Sequence, residues 1–257
     1  MTECYFLGHN GLGDNITNIS AINYLLNYYS KIFFLCKDIY QDNLKIIYNN
    51  PNVILIPFDH KNETQECFKI LNPVYKQNNM DVLISGFCHK ENFRSKIQNS
   101  LLKNRIKNND YNIDDKYIHI KNFYEDINLD LSIYYNYFNI NSSAYSEQLY
   151  KNIQKYKIVF MHTLASNGSL DLSEYINKYK DLDNYLIICP NTNIYEENHV
   201  KNGIAKDYVN LLVAHYIDII KNSEYIYVID SCFACIVLLL QFKNELKAID
   251  YKIFDRC

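Results

Sequence analysis

The chain has 257 residues, 48% of them hydrophobic, with a formal net charge of -3 and a sequence pI near 6.2. This length allows one large domain or two small ones, and the hydrophobic fraction is sufficient for a buried core. The charge balance gives no electrostatic reason to expect nucleic acid or an anionic membrane surface as a partner. The longest apolar run, residues 232–240, is too short for a transmembrane segment.

Targeting and redox features favour a cytoplasmic protein. The N-terminus lacks the basic region and apolar core of a signal peptide. The eight cysteines are scattered apart from Cys232 and Cys235, which is typical of reduced thiols. The chain is skewed towards Asn, Ile, Lys and Tyr, whose codons are AT-rich, as in some parasites, low-GC bacteria and large DNA viruses. For a virus, the expected location is the host cytoplasm.

A glycine-rich loop, residues 8–14 (GHNGLGD), lies between an apolar run and a helical stretch that is predicted to begin near Asn15. Glycines permit close approach of a ligand, and the helix offers free N–H groups and a partial positive charge. The loop is not the dinucleotide fingerprint, because Ile16 stands where a third glycine is required. Asp14 falls in the first helical turn, where a carboxylate is either a helix cap or a catalytic base.

The first half alternates strands with helices. Predicted strands cover residues 4–7, 31–36, 53–57 and 80–86, and predicted helices cover residues 15–26, 42–49, 63–71 and 92–107. Apolar strands separated by helices indicate a parallel sheet, and such sheets bind ligands beyond the carboxyl ends of their strands. His60 and His89 lie in the corresponding loops, as substrate contacts or as ordinary polar loop residues.

The second half repeats this pattern after an ambiguous region. Residues 134–138 fit either a helix or a strand, and residues 139–143 are the best linker candidate, so we predict domains at 1–140 and 141–257. Predicted strands then cover residues 156–161, 185–189, 225–229 and 247–253, and predicted helices cover residues 172–179, 209–221 and 232–242. The last helix is hydrophobic all round, so it should lie between the sheet and another layer. The expected fold class is α/β, with two Rossmann-like domains facing a central cleft.

Polar residues follow three strands of the second series. They are His162, Thr163 and Ser166 after the first, Asn191, Asn193 and Tyr195 after the second, and Asp230, Ser231, Cys232 and Phe233 at a strand-to-helix junction. Hydroxyls and free N–H groups at a helix terminus suit a diphosphate, and a nearby aromatic or amide loop suits a nucleoside.

Two motifs resemble a known family. Residues 11–14 (GLGD) and the following helix look like the N-terminal motif of heptosyltransferase-like enzymes of the GT-B glycosyltransferase fold. Residues 223–233 (SEYIYVIDSCF) are similar to the C-terminal sugar-nucleotide motif of those enzymes and of fucosyltransferase-like relatives. The resemblance implies transfer of a sugar from a nucleotide-sugar donor, bound mainly by the C-terminal half, to a glycan, lipid-linked or other hydroxyl acceptor bound by the N-terminal half.

The resemblance also implies roles for individual residues. Asp14 would be the base that deprotonates the acceptor hydroxyl, and Ser231 with neighbouring N–H groups would hold the donor phosphates. Further donor contacts would come from His162, Thr163, Ser166, Asn191, Tyr195, Asp230, Cys232 and Phe233, and acceptor contacts from Gly11, Gly13, Asn15, His60 and His89. The reaction would be inverting and would need neither a metal nor a cofactor besides the nucleotide-sugar co-substrate, because helix termini and side chains can stabilise a leaving diphosphate.

The chain departs from this family in one important respect. No Lys or Arg follows the first C-terminal strand, where a cation often meets the phosphates, although Lys201 and Lys206 could substitute. One alternative is therefore a catalytically inactive GT-B-like protein that binds a nucleotide, glycan or protein partner. A thioredoxin-type redox pair at Cys232 and Cys235 is another, but that fold needs a later proline and none follows Pro190.

Overall fold

The computed structural model describes residues 2–9, 11–77, 80–86, 118–166 and 168–255. The chain divides into two compact units, Met1–Asn141 and Ser142–Cys257. Each unit contains a four-stranded sheet in which every neighbouring pair of strands is parallel. This confirms the predicted α/β class. Within the described part of the chain, no helix has the length and hydrophobicity to cross a membrane.

The first strand in sequence is an interior strand of the first sheet. Its strands are β1 (Thr2–Leu7), β2 (Tyr29–Lys37), β3 (Val53–Phe58) and β4 (Asp81–Ile84), in the order β3-β2-β1-β4. The chain runs outwards from β1 to β3 and then returns to the other side of β1. The order therefore reverses between β1 and β4, and ligands of open parallel sheets bind beyond the strand ends at such a reversal.

The described residues of the first unit form the helices α1 (Leu12–Thr17), α2 (Ile19–Leu25), α3 (Gln41–Ile47), α4 (Glu63–Gln77), α5 (Ile118–Asp126) and α6 (Ser132–Asn136). The first helix starts at Leu12, earlier than predicted, because Gly11 has the extended backbone of an N-cap. Of the ambiguous residues 134–138, the first three are helical, because α6 ends at Asn136. The predicted helix at 92–107 lies outside the described residues.

The second sheet has the same kind of reversal. Its strands are β5 (Lys157–His162), β8 (Tyr185–Ile188), β9 (Tyr225–Ile229) and β10 (Asp250–Phe254), in the order β10-β9-β5-β8. The predicted polar loop after β5 contains a short antiparallel pair, β6 (Leu164–Ala165) and β7 (Gly168–Ser169). The order reverses at β5, between β8 and β9.

The helices of the second unit are α7 (Ala144–Ile153), α8 (Ser173–Tyr179), α9 (Asn202–Lys206), α10 (Ile217–Asn222) and α11 (Cys232–Phe242). The predicted helix at 209–221 was wrong over its first part, where Asn210 has a φ of 58° and residues Val213–Tyr216 form a 3₁₀ turn. Helix α11 has its predicted bounds. It packs against both β9 and α10, in agreement with its hydrophobic surface.

We expect Gly86→Ala to destabilise the protein by about 1–3 kcal/mol. Gly86 has a φ of 108°, and an added Cβ would lie 2.6 Å from the Cβ of His9. The matched control is Gly203→Ala, because Gly203 lies within α9 and its added methyl group would meet no atom within 4 Å. The control should be stabilising by up to about 1 kcal/mol. Urea unfolding measures the free energy of unfolding of both variants. A Gly86→Ala protein as stable as the wild type would contradict the prediction.

Candidate functional site

The loops that follow β1 and β4 lie side by side at the reversal point of the first sheet. The N–H of Ser85 donates to the carbonyl of Leu7 at 2.9 Å, which extends the pairing of the two strands by one residue. Gly86 packs directly against His9, and its N–H donates to Asp126 Oδ2 at 3.0 Å. The edge of the sheet that the topology marks as a ligand site is therefore built from these two loops.

Asp14 lies at this edge, in the first turn of α1. Its Oδ2 accepts a hydrogen bond from His9 Nδ1 at 2.5 Å and another from the N–H of Gly11 at 3.2 Å. The bond to Gly11 is a cap interaction, so one carboxylate oxygen serves the helix end. Among the described residues, Oδ1 has no hydrogen-bond partner, and the side chain is 26% exposed. The cap and the base interpretations of Asp14 are therefore compatible, since each uses a different oxygen.

The surroundings keep the Asp14 carboxyl ionised. Burial raises its pKa, but this effect is outweighed by the hydrogen bond from His9, the positive charges of protonated His9 and His119, and the N–H of Gly11. The pKa therefore lies below its ordinary value. A carboxylate that is ionised near neutral pH can accept a proton as a general base.

Two histidines at this edge were missed by the sequence reasoning. The His9 ring stacks on Phe123 of α5 with 5.8 Å between ring centroids, and His119 meets the same ring edge-on at 5.8 Å. A signal for His9 was present, because a histidine and an aspartate flank one glycine turn. None existed for His119, which only the packing of α5 brings near Asp14.

Apart from His60, the other residues predicted to contact the acceptor either shape the loop and α1 or lie outside the described residues. Gly11 is the N-cap of α1, and the carbonyl of Gly13 accepts a hydrogen bond from Thr17 Oγ1 at 3.1 Å. The Asn15 side chain is buried and donates to the carbonyl of Gly11 at 2.8 Å, so it holds the loop in shape. His89 lies outside the described residues.

His60 follows β3, which β2 separates from β1. Its Nδ1 lies 2.8 Å from Asp38 Oδ1, and possible ligand atoms of Asp38, Asp59 and His60 lie within 4.8 Å of one another. All three residues are exposed or half-buried, and the Asp59 carboxylate already accepts bonds from the N–H of Lys61 and from Asn62 Nδ2. This group has the chemistry to hold a cation, but it lies two strands away from Asp14.

In the second unit, predicted donor residues from three strand ends meet at the reversal point. His162 Nδ1 lies 3.1 Å from Ser231 Oγ, which joins the ends of β5 and β9. Asn191 Nδ2 donates to Thr163 Oγ1 at 2.9 Å, and the N–H of Thr163 donates to Asn191 Oδ1 at 3.3 Å. The structure thus places these four residues along one edge of the second sheet.

His162 is a neutral member of this group. It is 8% exposed, its ring lies 4.6 Å from that of Phe233, and burial lowers its pKa to about 4. It therefore offers hydrogen bonds and no charge near neutral pH. Ser231 is the N-cap of α11, but its hydroxyl makes no cap bond and is directed to His162. The N–H groups in the first turn of α11 are consequently not taken up by the Ser231 side chain.

The remaining residues predicted to contact the donor lie in different environments. Phe233 packs under His162, whereas Tyr195 is buried elsewhere, with its hydroxyl accepting the N–H of Ile187 at 2.9 Å on the outer edge of β8. Tyr195 therefore covers a strand edge. Ser166 is exposed at the turn of the β6–β7 pair. Asp230 and Cys232 are half-buried on either side of Ser231.

Lys201 does not replace the missing cation. It is 4% exposed, and its Nζ donates to the carbonyls of Leu182 at 2.6 Å and Lys180 at 3.3 Å, just beyond the end of α8. Its ammonium group is thus used for structure. The loops 162–170, 189–195 and 230–235 contain no Lys or Arg and one acidic residue, Asp230. The hydrogen-bond donors that they offer are therefore neutral groups and a helix N-terminus.

Solved structures resemble the chain over most of its length, although no family model and no curated protein sequence matches it. E. coli ADP-heptose LPS heptosyltransferase II has a TM-score of 0.58 and 11% identity, covering 100% of this chain and 93% of that one. A glycosyl transferase family 9 structure from Veillonella parvula has a TM-score of 0.59 and 12% identity, covering 99% and 86%. The chain has a heptosyltransferase-like GT-B fold.

A third structure, E. coli heptosyltransferase WaaC with ADP-2-deoxy-2-fluoro heptose, has a TM-score of 0.52 and 11% identity, covering 93% of this chain and 86% of that one. The resemblance predicted from the motifs at 11–14 and 223–233 is confirmed at the level of the fold. Identities this low say nothing further about chemistry, which has to be argued from the residues.

We expect His162 to make the stability of the protein depend on pH. Unfolded, His162 binds a proton below about pH 6.5, whereas in the folded protein it does so only near pH 4. The free energy of unfolding therefore falls as the pH is lowered through this window, by up to about 3 kcal/mol. In His162→Asn this contribution is lost. Urea unfolding at several pH values gives the slope of the free energy of unfolding against pH for the wild type and for His162→Asn. The same slope in both proteins would refute the prediction.

We expect Lys201→Met to lower the free energy of unfolding by about 1–3 kcal/mol, because the carbonyl groups of Lys180 and Leu182 lose the hydrogen-bond donor that the buried Lys201 supplies. The control is Lys206→Met at the exposed end of α9, which should change it by less than about 0.5 kcal/mol. Urea unfolding of both variants is the measurement. Equal stabilities would mean that the Lys201 ammonium is not bound as described.

Proposed function

We propose that the protein is a glycosyltransferase that moves a sugar from a nucleotide-sugar donor to a hydroxyl acceptor. The observation that carries this proposal is the Asp14 carboxylate, which is ionised, held by Oδ2, and located at the ligand edge of one of two parallel sheets in a GT-B fold. That is the arrangement a base for an acceptor hydroxyl requires.

We assign the binding of the nucleotide-sugar donor to the second unit. Thr163, Asn191 and Ser231 offer polar groups at one edge, and the first-turn N–H groups of α11 add the partial positive charge of a helix N-terminus. The E. coli WaaC structure holds an ADP-sugar analogue, which supports a nucleoside diphosphate sugar as the class of donor. The acceptor, a glycan or a lipid-linked molecule in our proposal, is assigned to the first unit.

The proposed reaction is a single displacement. The acceptor hydroxyl gives its proton to Asp14 Oδ1 while its oxygen attacks the anomeric carbon of the sugar. The bond from that carbon to the diphosphate breaks, the nucleoside diphosphate leaves with the electron pair, and the configuration at the anomeric carbon inverts. N–H and O–H donors at the start of α11 would stabilise the leaving group, so we expect turnover without an added metal.

A second function, nucleotide or glycan binding without turnover, is favoured by one observation. The three loops at the donor edge contain neither Lys nor Arg, and Lys201 is bound to carbonyl groups elsewhere. Neutral donors stabilise a developing diphosphate charge less than a cation would, so binding can persist where catalysis is weak.

A thermal-shift screen against UDP, GDP, ADP and CMP, with and without magnesium, tests the donor site. A ligand at a hundred times its dissociation constant adds about 2.7 kcal/mol of stability, which is readily measured. We expect one nucleotide to stabilise the protein selectively. The matching nucleotide sugars are then assayed for release of the nucleotide in the presence of glycan acceptors. Absence of any shift would contradict the donor site.

Asp14→Asn should reduce transfer by about 10²-fold or more, because an amide cannot accept the acceptor proton. The thermal shift with the nucleotide should persist, and stability should fall by less than about 1 kcal/mol, since the amide oxygen still accepts the Gly11 N–H. The control is Asp42→Asn, at an exposed position of α3. An unfolded Asp14→Asn protein would instead support a purely structural cap.

A further inference from the structure

His9 is held by parts of the first unit that lie far apart in sequence. Its Nδ1 bonds Asp14 Oδ2, its backbone and Cβ pack against Gly86 after β4, and its ring stacks on Phe123 of α5. The side chain is 34% exposed. An exposed loop histidine usually has several accessible rotamers, whereas these contacts select one. The ring is thus presented to Asp14 in a fixed orientation.

The bond from His9 determines which oxygen of Asp14 is available. A carboxylate can only accept hydrogen bonds, so Nδ1 carries the proton in this contact. His9 Nδ1 and the Gly11 N–H both donate to Oδ2, which opposes rotation of the carboxylate about its Cβ–Cγ bond. Oδ1 then keeps a constant position at the sheet edge.

We propose that His9 is a positioning residue for sugar transfer, which fixes Asp14 through Nδ1 so that Oδ1 meets the acceptor hydroxyl. This inference rests on the proposed function. The proton of the acceptor moves to Asp14 Oδ1, and His9 retains its own proton throughout. Positioning matters because a displacement of about 1 Å at a reacting atom can cost about 10²-fold in rate.

The competing assignment makes His9 the base and Asp14 its orienting partner, as in a Ser-His-Asp triad. The two assignments differ in what His9 must do. A positioning residue needs only a hydrogen-bond donor at the place of Nδ1, whereas a base needs a titrating imidazole. Substitutions that keep one property and remove the other therefore separate them.

Two matched variants make this distinction. In His9→Asn the amide nitrogen takes the place of Nδ1 and still donates to Asp14, while in His9→Gln the amide nitrogen takes the place of Nε2. Neither side chain titrates. His119, the other side chain that lowers the pKa of Asp14 through its charge among the described residues, is retained in both variants, so its effect cancels in the comparison.

The first readout needs no substrate. The protein is labelled with carboxyl-¹³C aspartate, and the Asp14 signal, identified by its loss in Asp14→Asn, is titrated by NMR. We expect the pKa of Asp14 to rise in both variants, because both lose the imidazole charge, and to rise further in His9→Gln, which also loses the hydrogen bond. Equal pKa values in the two variants would overturn the proposal.

The second readout is transfer with the donor found in the nucleotide screen. We expect His9→Asn to keep kcat within about tenfold of the wild type and His9→Gln to lose about 10²-fold. The acid limb of the pH–rate profile should move to higher pH in His9→Gln. Equal loss in both variants would overturn the positioning role and favour His9 as the base. Urea unfolding confirms that both variants are folded.

Failure of the proposed function is distinguishable from failure of this inference. If the wild type turns over no donor, the transferase assignment falls, and the role of His9 in transfer falls with it. The NMR comparison then still decides whether His9 controls the ionisation of Asp14. If the wild type is active and the variants do not differ, only the inference about His9 is wrong.

Discussion

Residue 86 has room for no side chain, and the arrangement around Asp14 depends on that constraint. The backbone of Gly86 has a φ of 108°, and His9 occupies the space that a Cβ would need. Because His9 can lie there, its ring reaches both Phe123 and the Asp14 carboxylate. The close approach of the Gly86 backbone therefore leaves room for His9, and the His9 imidazole in turn hydrogen-bonds the Asp14 carboxylate.

The second unit has polar groups at its strand ends, but its loops 162–170, 189–195 and 230–235 contain no Lys or Arg. Burial keeps His162 neutral. The Ser231 hydroxyl hydrogen-bonds with His162 and makes no cap bond at the N-terminus of α11. Apart from the carboxyl group of Asp230, the polar groups at this edge are neutral: hydroxyls, an amide, an imidazole and backbone N–H groups. Such groups can stabilise a diphosphate when they are preorganised, because they need no reorientation when charge develops. The one buried lysine of the neighbouring loop is bound to carbonyl groups.

The two candidate sites have the same origin in the fold. In each sheet the first strand lies inside, the chain leaves to one side, and it later returns to the other. Loops that are distant in sequence then meet at the end of the first strand, as residues 7 and 85 do in one unit and residues 162 and 231 do in the other. The heptosyltransferase-like fold explains where ligands would bind, whereas the residues at each edge decide what chemistry is available.

The sequence alone determined the features that depend on local pattern. Strand β9 and helix α11 have their predicted bounds, because a strand buried on both faces and a helix buried on most of its surface leave long apolar runs. The glycine loop and Asp14 were identified because glycines cluster between an apolar run and a helical pattern. In the structure Gly8 and Gly11 have ordinary backbone angles, and their lack of a side chain makes room for Asn18 and Asp14. The predicted helix at 209–221 was wrong where Asn210 adopts a left-handed backbone, for which the sequence carried no distinct signal.

The tertiary structure decided which side chains meet. Tyr195 and Lys201 are polar residues in loops near a predicted ligand edge, yet packing uses one to cover a strand edge and the other to bind carbonyl groups. Conversely, His9 and His119 act on Asp14 only because β4 and α5 bring Gly86 and Phe123 beside the first loop. Local spacing predicts the backbone of an element, whereas the partner of a polar side chain can lie in another element, as Phe123 does for His9 more than a hundred residues away. No local pattern records such a pairing.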